Sequence, residues 1–180
     1  MERTLHLGKY GEHLWTRDRA RAIHADLMQL LRVSAEGDSV VIDAKGVEVF
    51  DYSFANELFG KTLMSLPNEY PGRFVIIENL TTYTAENLTK ALESLSLAMI
   101  HRKGKRLELI GKVHPSDLET FAAITNAKAP ATAVALKDQL AVNLTAMNER
   151  LSKLVGLGVI RRQKAVSPAG REQYEYTALR

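Results

Sequence analysis

A chain of 180 residues, 46% hydrophobic and 25% charged, has room for one medium or two small globular cores. It contains no cysteine, which excludes disulfides, thiolate metal ligands and thiol catalysis. No apolar run approaches the roughly 18 residues of a bilayer span, and Met1–Leu7 lacks the apolar stretch of a secretory signal, so a cytoplasmic protein without membrane association is expected. The net charge is +3. Basic and acidic residues cancel over residues 1–114, so the whole excess falls in 115–180, where Lys153, Arg161, Arg162, Lys164, Arg171 and Arg180 crowd the end. That is the footprint of a nucleic-acid contact surface, and equally of a solvated tail.

In chain order, Thr4–Leu7 predicts a short strand. Thr16 is placed to cap a helix over Arg17–Arg32, whose Ala20, Ile23, Leu27, Leu30 and Leu31 fall on one face. Gly37 follows that helix as a stop signal. Ser39–Ala44 is β-branched and continuous, the pattern of a strand covered on both faces. A turn at Lys45-Gly46 leads through Val47–Phe50 to Asp51-Tyr52-Ser53 and a helix over Phe54–Leu66, with Phe54 as a core anchor. Pro67–Gly72 breaks the chain. Arg73–Glu78 predicts a second buried strand and Thr84–Leu95 a helix with Leu88, Leu92 and Leu95 on one side. Leu97–Ile110 predicts a hairpin around Lys103-Gly104. Strands alternating with helices imply an α/β layer domain over residues 1–113.

Beyond His114 the pattern changes. Pro115–Asn126 predicts a helix and Asn126–Pro130 a connector. Thr132 opens a helix to Leu140, and Ala141-Val142-Asn143 turns into a second helix over Leu144–Val155, with Asn143 as its cap. Ala133, Leu136, Leu140, Val142, Met147, Leu151 and Leu154 let the two helices pack across a tight turn. Gly156–Ile160 ends the second helix, and Ile160–Val166 pairs with Gln173–Thr177 around Ser167-Pro168-Ala169-Gly170.

Residues 132–162 resemble a bacterial winged helix-turn-helix regulator, with the Leu-x-x-x-Gly-hydrophobic-hydrophobic-Arg pattern at Leu154–Arg161. The resemblance implies a DNA-binding module over 114–180, acting on double-stranded DNA as a homodimer. It places Asn143, Thr145, Ala146, Asn148, Glu149, Arg150 and Lys153 on the recognition helix, where Asn can pair with adenine and Glu can accept from cytosine. Arg161, Arg162, Lys164 and Arg171 are placed to touch phosphates from the wing.

Residues 40–58 resemble the STAS-like family, found beside bacterial signalling ATPases. In its anti-sigma-factor antagonists, the serine of an Asp-x-Ser motif at a helix start is phosphorylated by a partner kinase. The matching residues are Asp51 and Ser53, and the resemblance implies sensing, docking or dimerisation over 1–113. A phosphoserine there would face free helix amides; Ser53 equally suits a plain N-cap. The expected fold class is thus an α/β STAS-like domain followed by a winged helix-turn-helix. The expected function is transcriptional regulation, the alternative being a non-DNA adaptor that binds an ATPase or kinase.

Other groups are weaker signals. His101–Arg106 is the densest basic run, a phosphate contact or a solvated turn. The five histidines lack ligand spacing, so no metal is expected, and no glycine loop or nucleophile–base pair implies a cofactor or an enzyme. Trp15 is expected as a core or interface anchor.

Overall fold

The computed structural model describes residues 1–179. They form two compact units, residues 1–113 and 114–179.

In the first unit β1 (Glu2–His6), β3 (Ser39–Asp43), β5 (Phe74–Glu78), β6 (Ala98–Lys103) and β7 (Arg106–Gly111) form one sheet in that order. The first four are parallel and β7 closes the edge antiparallel to β6. A short parallel pair, β2 (His13–Leu14) and β4 (Val49–Phe50), stands apart from it. Three crossovers join the parallel strands: α1 (Arg17–Val33), a helical run of α2 (Tyr52–Ala55), a π segment (Asn56–Gly60) and α3 (Lys61–Glu69), and α4 (Thr82–Ser94). The strand order advances in one direction, so right-handed crossovers put every helix on the same face. The packing agrees, since Ala20, Ile23, Leu27 and Leu31 of α1, Phe54, Leu58 and Leu66, and Leu88, Ala91 and Leu92 of α4 share one core with Val40, Ile42, Val75, Ile77 and Met99. The alternate residues Val41, Ile76 and Ile100 point to the other face and are buried too. On that face Arg102 reaches Glu78 at 2.9 Å and Glu2 at 2.7 Å, tying β6 to β5 and β1.

Several boundaries differ from the sequence expectation. β1 starts two residues earlier, at Glu2. Thr16 holds the cap position of α1 without a side-chain bond to it. The helix after β4 begins at Tyr52, because Asp51 and not Ser53 is its cap, accepting from Phe54 N–H at 2.7 Å. The helix also runs past Pro67 to Glu69, since a proline in the last turn removes only one late hydrogen bond. Thr81 caps α4 three residues before the expected start. The hairpin turns at Gly104-Lys105, one residue later than expected, with Gly104 at φ 59°.

The second unit has α5 (Pro115–Asn126), α6 (Ala133–Gln139) and α7 (Leu144–Gly156) with a three-stranded sheet β8-β10-β9. β9 (Ile160–Val166) and β10 (Glu172–Ala178) form a hairpin, and β8 (Ala131–Thr132), just past the expected connector and reaching into the expected helix start, adds a short strand to β10. Thr132 caps α6 by accepting from Ala135 N–H, and Asn143 caps α7 by accepting from Ala146 N–H at 2.8 Å. Phe121, Ile124, Leu136, Met147, Leu151, Leu154, Val159, Ile160 and Tyr176 are buried in this unit. Ala133, Leu140 and Val142, expected in the same core, are only partly covered.

Candidate functional site

α7 offers solvent a single stripe. Thr145, Asn148, Glu149 and Ser152 are exposed at spacings of three and four, while Met147, Leu151 and Leu154 turn inward. Leu144 is exposed at the start of the helix and Ala146 is half-buried. Asn143 is exposed, but its Oδ1 is taken by the cap, which leaves only its NH2 to donate. The two cations of the helix turn elsewhere. Arg150 contacts the Ser116 carbonyl, Glu119 and Thr120 at 3.3–3.4 Å, with its side chain 18% exposed. Lys153 pairs at 2.5 Å with Asp117, a carboxylate buried on α5. Both tie α7 to α5, although Lys153, with 51% of its side chain exposed, stays at the surface one turn on from Glu149.

The cations of the hairpin are separated by strand alternation. Arg162, Lys164 and Val166 share one face, with Tyr176 opposite Arg162 and Tyr174 opposite Lys164. Arg162 lies over the Tyr174 ring, 4.7 Å from its centroid. Arg162 and Lys164 are exposed, as is Arg171 just past the Ser167–Gly170 turn. Arg161 points to the opposite face and is half-buried. Of the expected group of four, Arg162 and Lys164 therefore share one face of the hairpin, Arg161 lies on the opposite face and Arg171 stands past the turn.

In the first unit, Asp51 and Ser53 lie where β4 meets α2. Asp51 caps the helix through Oδ1, and its Oδ2 accepts from Thr16 N–H at 3.5 Å. Ser53 is half-buried in the first turn, followed by Phe54 in the core. A phosphate on Ser53 would stand in a first turn where the Phe54 N–H is already taken by the Asp51 carboxylate, with Glu57 one turn on. Around it are Trp15, 50% exposed and stacked on His13, and Tyr52, whose hydroxyl lies 2.8 Å from the Ser94 hydroxyl. Trp15 is therefore a surface group and not a core anchor.

The basic run at the β6–β7 turn is largely neutralised. His101 is buried, Arg102 bridges Glu78 and Glu2, and Lys103 and Arg106 both pair with Glu108.

One constellation had no signal in the sequence. His6 ends β1, Asp43 ends β3 and Asn79 follows β5, so the parallel register gathers them at the carboxyl edge of the sheet, where ligand sites of open α/β sheets lie. Asp43 accepts from His6 Nδ1 at 2.9 Å, from Asn79 Nδ2 at 2.7 Å and from Lys45 N–H at 2.9 Å. Burial alone would raise the Asp43 pKa, but these three donors outweigh it and hold the carboxyl below its ordinary value. An ionised Asp43 only accepts, which fixes Nδ1 of His6 as a donor and leaves Nε2 of a 66%-exposed side chain for a partner. No single stretch could reveal it, because the three residues are 36 and 37 positions apart. Among the described residues no group of His, Asp or Glu is arranged to hold a metal, and no helix is long and apolar enough to cross a membrane.

Residues 27–84 match the model of a family described as a STAS-like domain of unknown function (DUF4325). The match runs from the middle of α1 into the first turn of α4, includes Asp43, Asp51, Ser53 and Asn79, and covers less than half of the chain. No curated protein matches in sequence. Among solved structures, a possible transcriptional regulator from Methanosarcina mazei Go1 is similar at 17% identity and a TM-score of 0.35, over 38% of this chain. The chain spans 57% of that regulator's length, a likeness too loose to assign a fold. Over residues 27–84, then, this mixed α/β chain resembles a STAS-like domain.

Proposed function

We propose that the protein is a DNA-binding transcriptional regulator, in which residues 114–180 are a winged helix-turn-helix that engages double-stranded DNA. In this reading the STAS-like unit senses, docks or holds a homodimer, and the role is regulatory and not catalytic. One observation carries it: two capped helices, α6 and α7, meet across a four-residue turn and are followed at once by a hairpin that exposes Arg162, Lys164 and Arg171. That succession is what a helix-turn-helix with a wing requires.

The test is fluorescence anisotropy of a labelled random duplex titrated with the full chain at several salt concentrations. Micromolar binding that collapses between about 50 and about 200 mM salt is expected from counterion release. Absence of binding at the lowest salt would leave the adaptor reading. That second reading, an ATPase or kinase partner on the first unit, is favoured by the exposed Trp15 and Tyr52 beside Asp51 and Ser53.

A further inference from the structure

We infer that the β9–β10 hairpin, and not α7, carries the contact with the duplex; the inference rests on the DNA-binding reading above and specifies its geometry. A DNA duplex presents one negative charge per about 1.7 Å of its axis, so an inserted element must bring cations or at least avoid anions. α7 does neither. Its exposed polar residues are Thr145, Asn148, Glu149, Ser152 and Lys153; Lys153, with 51% of its side chain exposed, has its ammonium paired to Asp117, which leaves the charge of Glu149. Arg150 and Lys153, the two residues able to reverse that sign, are held on α5 by Glu119, Thr120, the Ser116 carbonyl and Asp117. Freeing Lys153 would leave Asp117, which is 3% exposed, as an unpaired buried carboxylate.

The hairpin has the opposite character. Arg162 and Lys164 stand two residues apart on one face, Arg171 lies beyond the turn, and all three are exposed; with the exposed Glu172 next to Arg171, these four side chains sum to +2. Tyr174, itself 44% exposed, lies under the Arg162 guanidinium and holds its planar fork in place before any partner arrives. Each strand is seven residues long, and a two-stranded ribbon fits the major groove as an α-helix does. Charge and shape together make the hairpin the inserted element and α7 its support.

Three variants of the full chain test this in the same anisotropy assay, with circular dichroism as the control for folding. Replacing the exposed cations together (Arg162→Gln, Lys164→Gln, Arg171→Gln) should weaken duplex binding at least tenfold and flatten the salt dependence of log K by roughly two to three. Replacing the helix stripe (Thr145→Ala, Asn148→Ala, Ser152→Ala) should change affinity by no more than about twofold, since none of the three is charged. Glu149→Gln should tighten binding, by roughly two- to fivefold, because it removes a like charge facing phosphate. The inference is overturned if the helix variant loses as much as the hairpin variant or more, or if Glu149→Gln binds more weakly; duplex binding by the unaltered chain would still stand. If the unaltered chain binds no duplex at about 50 mM salt, the proposed function itself fails.

Discussion

His24 and His101 hold largely neutral imidazoles inside the first unit, because burial disfavours the protonated ring and lowers both pKa values below 6.5. The Nε2 of His24 is buried without a hydrogen-bond partner among the described residues, and the carboxylates of Glu69 and Glu57 offset only part of the burial penalty. The unfolded chain takes up a proton near pH 6.5 and the folded chain only at lower pH. Stability is therefore complete above pH 6.5, falls as the pH drops through that value, and levels off below the folded pKa. Melting curves from pH 7.5 down to about 5.5 should show this decline, and a His24→Gln, His101→Gln double variant should flatten it. A second residue under strain is Ala141, at φ 53° in the turn between α6 and α7. Left-handed backbone is unfavourable by about 1–2 kcal/mol for a residue with a Cβ, and glycine recovers it less its own added chain entropy. Ala141→Gly should raise stability by about 0.5–1 kcal/mol in urea unfolding followed through the second unit. Ser53 stands two residues past the Asp51 cap, where a carboxylate already occupies the helix start. A second carboxylate there gains from the helix dipole and loses by repulsion from Asp51, so Ser53→Asp should leave the melting temperature nearly unchanged.

Among the elements, the β6–β7 hairpin depends on how closely its last residue approaches the preceding strand. Gly111 ends β7 at φ 106°, and a Cβ there would stand 2.4 Å from the Leu97 carbonyl oxygen and 2.9 Å from Leu92 Cβ. Neither neighbour can yield, the first being backbone and the second a buried residue of α4. Gly111→Ala should thus be destabilising by roughly 2–4 kcal/mol, read as a lower urea midpoint with unchanged slope. The π segment at Asn56–Gly60 is a different kind of feature. It places Glu57 at 4% exposure with Arg21 at 2.9 Å and Lys61 at 2.5 Å, so α1 and α3 are both tied to one carboxylate. The bond from Lys61 is the main reason that the Glu57 pKa lies below its ordinary value. Sequence periodicity reached the existence of these helices but not their ends. Asp51 and Thr81 outcompete the residues next to them as caps because their side chains meet an N–H three residues on, a fact of rotamer and loop geometry. The same limit applies to Pro67, whose signal as a breaker is real but takes effect only after the last turn is complete.

For the whole molecule, the regulator reading makes one further quantitative demand, a homodimer. Sedimentation of the 20.0 kDa chain at micromolar concentration should give twice the monomer mass, and a monomer would leave a single half-site contact. What the sequence determined by itself is the part set by local periodicity and composition. The buried strand Ser39–Asp43, the apolar face of α1, the caps Thr132 and Asn143, and the hairpin after α7 all follow from residues within one turn or one strand of each other. The fate of each polar side chain was decided only by tertiary structure. Arg150 and Lys153 sit at positions on α7 that look solvent-facing in sequence, but they are drawn to α5 by Asp117 and Glu119 more than thirty residues away. His6, Asp43 and Asn79 meet only because β1, β3 and β5 share a parallel register. Backbone conformation is fixed largely by neighbours along the chain. A charged side chain takes the partner that best compensates its desolvation, and that partner is supplied by the fold.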